Sequence, residues 1–259
     1  LVKIFANAFV FDLLAEPKRP LTQTCVSELL NDLEARASAA PVDAMRAEDM
    51  YEIEEYFVRA LRPRHPLSHG EAADYYWSRV DRLMPLLKPA DRAKALAPLW
   101  GEVDQFSGLY LQLKAALDQL GHREHLFAPL DAIRDREPGR TVLHVDTMRV
   151  GLAGGGPGEL VQLVGREGRP VTLPKPVVAA LAIELALQLK NSSWGFMQVA
   201  DLLDFPGAKK RHEKRAENFF SSADVPHPIG EAFLRGKVAV MFDSYAAEFD
   251  LNTLVACHR

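Results

Sequence analysis

Proline spacing constrains this chain more than any other feature. Apolar residues at Val26, Leu29, Leu30 and Leu33 recur at intervals of three and four, the mark of one helical face, and Pro41 closes the stretch. Thr24 is placed to cap that helix through its hydroxyl. Met50, Ile53, Phe57 and Leu61 repeat the spacing until Pro63, since proline lacks a donor and pushes the preceding residue out of helical dihedrals. Arg62 to Gly70, with two prolines and two histidines, reads as a loop. Helical spacing resumes from Tyr75 to Leu87 and runs again through Phe106, Leu109, Leu113, Ala116, Leu117 and Leu120, with Gly121 as the C-terminal cap. Residues 1–136 are therefore expected to form an α-helical subdomain or insertion.

The pattern changes at Glu137-Pro138-Gly139. Thr141 to Val145 and Leu160 to Val164 are β-favouring runs, and Gly165-Arg166-Glu167-Gly168 makes a turn after the second. Between them Ala153-Gly154-Gly155-Gly156-Pro157-Gly158 reads as a loop. Pro176 opens an apolar segment reaching Leu189, which its alanines and its first-turn proline favour as a helix. Phe196 to Leu203 is the best strand candidate, the charged run Lys209 to Glu217 reads as a helix, and Leu251 to Cys257 reads as a buried strand. Strand, turn, helix and strand in that order predict an α/β fold with a parallel or mixed sheet over residues 137–259.

With 48% hydrophobic and 25% charged residues the chain can bury a core and is not a disordered tail. A net charge of −4 gives no global field for a polyanion, so nucleic acid is not an expected partner. Cys25 and Cys257 are far apart and form neither a disulfide framework nor a metal pair, which suits a reducing compartment. No apolar run reaches membrane-spanning length and no signal peptide opens the chain. The first residue is Leu and the last three are Cys257-His258-Arg259, so both ends read as cut.

The most chemically pointed segment is Asp201-Leu202-Leu203-Asp204-Phe205-Pro206-Gly207, a strand ending in a carboxylate, a proline and a glycine. At the exit of a parallel strand, Asp204 could hold a magnesium ion and the Gly207 amide could meet a terminal phosphate. The segment resembles the third motif of P-loop GTPases, Asp-x-x-Gly, with the proline of the dynamin-like branch. Together with Leu1 to Asn7, Leu96 to Glu102, Phe127 to Leu130 and Val145-Asp146-Thr147, it also resembles the SrfC-type bacterial virulence factors over nearly the whole chain. That resemblance implies an incomplete P-loop-type sheet in an internal piece of a larger protein, cytoplasmic in bacteria or exported as an effector. It implies Mg2+ with GTP or ATP bound to the full-length parent, through Asp204 and Gly207, once an upstream phosphate loop is present.

This chain departs from that pattern in ways that bear on activity. No Gly-x-x-x-x-Gly-Lys-Ser/Thr occurs, since Gly236-Lys237 is followed by Val238, and no base-reading Asn-Lys-x-Asp occurs. Ala208 stands where small GTPases carry a water-orienting Gln. Neither tight nucleotide binding nor hydrolysis is expected of this chain alone. An Asp-Phe-Pro-Gly segment is equally a good ordinary turn. The basic cluster Lys209, Lys210, Arg211, Lys214 and Arg215 could contact an anion, a lipid surface or a partner, or form a solvated helix face. His122 with His125, and His65 with His69, have ligand-like spacing but no third ligand in view. Tyr75-Tyr76-Trp77 could anchor a partner, though a helix core suits it better. Two functions from different classes are expected: a nucleotide-sensing regulatory protein built on Asp204 and Gly207, or a non-enzymatic module that docks a protein partner.

Overall fold

The computed structural model describes residues 1–12, 20–42, 45, 47–62, 64–133, 141–154, 159–166, 168–186, 216–221 and 223–247. Helices dominate them. Helix α1 (Val2–Asp12) carries Phe5, Ala6, Ala8 and Phe9 fully buried, so it shows no single apolar stripe. Phe5 lies 5.5 Å from the Trp100 ring, 5.3 Å from Phe106 and 5.5 Å from Phe233. Each of these rings contributes about 2 to 3 kcal/mol on leaving water, and together they form the centre of the core.

Helices α2 (Gln23–Glu34), α3 (Ala47–Ala60) and α4 (Glu71–Leu83) follow, with α2 packed along α4 and α3 on both α1 and α4. Their buried faces hold Val26, Leu30 and Leu33, then Met50, Ile53 and Phe57, then Tyr76, Trp77 and Val80. The cap of α2 is Thr22, whose hydroxyl accepts from the Cys25 amide, so the helix starts before Thr24 and holds that residue in its first turn. A short 3-10 turn, Pro66–Ser68, interrupts the loop between α3 and α4. Helices α5 (Pro89–Leu96) and α6 (Asp104–Gln119) flank the 3-10 segment Ala97–Trp100, and Gly121 ends the α6 region at φ +64°, as a left-handed cap requires.

The remaining described residues correct the expected sheet. Strands β1 (Leu160–Leu163) and β2 (Val171–Pro174) pair antiparallel, with Leu160 opposite Pro174 and Leu163 opposite Val171. Phe127 adds one antiparallel bridge at Val164. Residues 164–170 connect the strands and are too few for the crossover that parallel pairing needs, and the expected α/β P-loop-type architecture is overturned: the described residues are mostly helical, and the sheet among them is a two-stranded antiparallel hairpin. Thr141 to Val145 is not a strand either. Residues 141–144 make a turn, and the His144 ring accepts from the Asp146 amide to cap α7 (Val145–Gly151); a local side-chain acceptor outcompetes the β propensity of the run.

Helix α8 (Lys175–Leu181) begins with Pro176 in its first turn, as expected, but stops well before Leu189, with Ala182 extended and residues 183–186 outside any helix or strand. Helix α9 (Ala216–Ser221) brings the Phe220 ring to 5.6 Å from Phe106. Helix α10 (Pro228–Ala247) lies against α1 and α7. A Cβ at Gly236 would stand 2.1 Å from the Ile4 carbonyl oxygen, and one at Gly230 1.9 Å from that of Arg149. Glycine lets the backbones touch at both crossings. The strands expected at Phe196 to Leu203 and Leu251 to Cys257 lie outside the described residues.

Candidate functional site

The hairpin has an inner and an outer face. Val161, Leu163 and Leu173 point into the core, and alternation along the strand turns Leu160, Gln162 and Val164 outward, with Thr172 opposite Gln162. The Phe127 amide donates to the Val164 carbonyl at 2.7 Å and the Val164 amide donates back at 2.9 Å, which sets Phe127 beside the outer face. From Phe127 the chain runs to a 3-10 turn, Leu130–Ala132, and the Val142 amide donates to the Ala132 carbonyl at 2.9 Å, which holds the segment carrying Leu143 against that turn. Leu160 is 63% exposed, Leu130 59%, Phe127 58% and Leu143 55%. Scattered apolar residues are ordinary on a protein surface, whereas large ones that lie together form a patch of the kind that contacts another surface. Arg123 borders it, its guanidinium lying over the turn at Gly165 and Gly168, where any Cβ would collide with it.

A polar arrangement lies inside, where α7, α8 and α10 meet. Arg149 of α7 pairs with Asp146 at 2.6 Å and approaches Glu231 of α10 at 3.6 Å, and Arg235 reaches the same Glu231 at 3.4 Å. Two residues beyond Arg235, the Lys237 ammonium donates to the carbonyls of Ala179 at 2.7 Å, Ala180 at 3.2 Å and Ala182. These are carbonyls that a helix end leaves without partners, so Lys237 caps α8 and explains why the helix stops there. Burial pushes the Lys237 ammonium down to about 8. The signal for this network in the sequence is the set of charges at 231, 235 and 237 in the mainly apolar first half of α10.

Of the residues singled out from sequence, Asp204, Gly207, Lys209, Lys210, Arg211, Lys214 and Arg215 lie outside the described residues. Gly236-Lys237 is a helix interior, where the glycine serves a crossing and the lysine a cap. Tyr76 and Trp77 are core, their hydrogens donated to the Ala95 and Leu67 carbonyls at 2.8 Å each, while Tyr75 contacts Ser27. The His122 ring meets Asp118 at 2.7 Å, and His65 is buried while His69 contacts the Ser68 hydroxyl. Among the described residues no three His, Cys, Asp or Glu side chains gather as a metal site, and no helix is long and apolar enough to cross a membrane.

Among the described residues, fold and surface together define a predominantly helical protein that carries a small hairpin whose outer face sets Leu160 and Val164 to either side of the polar pair Gln162 and Thr172. Its residues 1–259 match the family model described as "Putative bacterial virulence factor", and the chain belongs to that family. The family match spans the chain as the sequence resemblance implied, without support for a GTPase-like third motif. No curated protein and no solved structure matches the chain.

Proposed function

We propose that this chain is a protein-docking module of a bacterial virulence factor, and that the partner is a polypeptide whose apolar surface covers Phe127, Leu130, Leu143, Leu160 and Val164. The observation that carries this is the outward-facing hairpin: a two-stranded sheet with apolar residues on both faces leaves one of them uncovered by the described residues. A partner's apolar side chains would displace water from that face, and aromatic and leucine anchors of this kind supply much of the energy at interface centres.

The test places a photoreactive phenylalanine at position 130 or 160 in bacteria that make the protein, with position 28 on exposed α2 as control. One discrete crosslink to a second polypeptide is expected from both sites and not from the control, and Leu143→Ser should abolish it. Crosslinks confined to the chain itself would show that the face is internal and end the proposal.

A second function, a nucleotide-sensing turn with Mg2+ on Asp204 and a terminal phosphate at Gly207, is favoured by the Asp-x-x-Gly pattern of the sequence. Titration of fluorescent GTP and ATP analogues with Mg2+ decides it, using this chain and one extended upstream, each with and without Asp204→Asn. Binding by the extended protein that Asp204→Asn weakens supports it. No binding by the extended protein removes the site, and binding that ignores the substitution removes Asp204 from it.

A further inference from the structure

We propose that His65 is an acid-sensitive clasp: a second proton on its imidazole forces open the turn Pro66–Ser68 and loosens the junction of α1, α3, α4 and the Ala97–Trp100 segment. The geometry around the ring makes the case. His65 is fully buried. Its Nδ1 lies 3.0 Å from the Leu67 amide nitrogen, which can only donate, so Nδ1 must accept. The proton therefore sits on Nε2, which donates to the Leu99 carbonyl at 3.1 Å. Both ring nitrogens are committed and only one tautomer fits.

Adding a proton to Nδ1 sets one N–H against another in a dry pocket, with no acceptor to take it. The ring has little freedom to turn away. Phe57 packs edge-on at 4.8 Å and Phe9 at 6.0 Å between ring centroids. The turn that His65 caps is itself a joint. The Ser68 hydroxyl and amide both donate to the His65 carbonyl, at 2.6 and 3.1 Å, and the Trp77 indole donates to the Leu67 carbonyl at 2.8 Å. Losing the Leu67 bond thus disturbs α4 through Trp77, α1 through Phe9 and α3 through Phe57.

Charged groups of the surrounding elements are engaged elsewhere. Lys3 of α1 lies over the Tyr56 ring, and Arg59 of α3 pairs with Asp243 at 2.9 Å. Glu54 of α3 sits near Asp74 and Asp81 of α4, Arg79 of α4 binds Glu34, and Glu71 and Arg82 are exposed. Arg62 and Arg64 are exposed in the preceding turn, and the His69 ring contacts Ser68. None of them is among the influences on His65, which are burial first and the Leu99 hydrogen bond second; burial holds its pKa down at about 3. The folded pKa is below the unfolded one, so stability is fully present above about 6.5 and is lost as pH falls towards 3.

The experiment compares urea unfolding of the whole chain at pH 7.5 and pH 5 for wild type and His65→Asn, which keeps an acceptor for Leu67 but cannot titrate. Between those pH values the wild-type folding constant should fall about 30-fold more than that of the variant. Equal falls overturn the proposal. Should the variant not fold, NMR of histidine-labelled wild type decides. The expected result is a His65 ring signal that does not shift between pH 7.5 and 5.5 while exchange at the Leu67 amide and Trp77 indole accelerates beyond its intrinsic pH dependence. A ring that titrates near 6.5 without faster exchange overturns it.

Discussion

Around His65 the protein buries a ring that is neutral at pH 7; around Lys237 it buries a full positive charge. Burial lowers both pKa values, because desolvation disfavours the charged form of either base. The consequences diverge. At neutral pH His65 already occupies the form its pocket prefers, while Lys237 remains in the form its pocket disfavours and is held there by three peptide carbonyls. One site therefore fails on the acid side, and the other gains stability on the alkaline side. A shared physical cause gives opposite pH windows.

The two sites are joined through α1 and α10, and the largest expected effect comes from separating those helices. Gly236→Leu would drive a side chain into the Ile4 carbonyl and cost about 3 kcal/mol or more, seen in urea unfolding as loss of stability at every pH. Both windows would become unmeasurable together if the crossing couples them. Lys237→Met should act on one alone. The Lys237 pKa is about 8 in the folded chain, against 10.5 for an ordinary lysine, so the unfolded state binds more protons in between and wild-type stability rises with pH across that window, by about 3 kcal/mol. The methionine variant should lose that rise while keeping the acid-side fall that His65 causes. A variant that retains the alkaline rise would assign it to another group. Thr22→Ala is the smallest change and the control: removing the α2 cap should cost about 1 kcal/mol, equal at pH 5, 7.5 and 9.

Much of the helical part was legible in the sequence, for a plain reason. Met50, Ile53 and Phe57, and likewise Phe106, Leu109 and Leu113, recur at helical spacing because each helix buries one face and wets the other. Helix α1 escaped because residues 4–9 are buried in unbroken succession, and such a run has no period to read. The end of α8 escaped because a lysine on a different helix fixes it, which no local pattern records. The segments on which the parallel order rests, Phe196 to Leu203 and Leu251 to Cys257, lie outside the described residues, and β-favouring composition alone misleads at Thr141 to Val145, where the His144 ring accepts from the Asp146 amide and starts a helix instead. Of the candidate sites, the outer hairpin face was half visible. The composition of Leu160 to Val164 predicts a strand, but which of its faces stays wet depends on what packs beneath it. His65 was seen only as one of a spaced pair, and the pair did not survive, since one ring is buried and the other is not.

The glycine crossing at Gly236 also orders events in time. Helices α1 and α10 are separated by the residues from Asp12 to Pro228, so a ribosome that has made α1 must synthesise all of that stretch before Ile4 and Ala8 can meet their partner. Until then one side of an apolar helix stays open to whatever else is in the cell. Contacts of such long sequence separation slow the closing of a core and lengthen the exposure of unfinished surface to aggregation. A protein built this way would depend on chaperones during synthesis more than its helical content alone suggests, and its yield in cells would be limited by assembly more than by final stability.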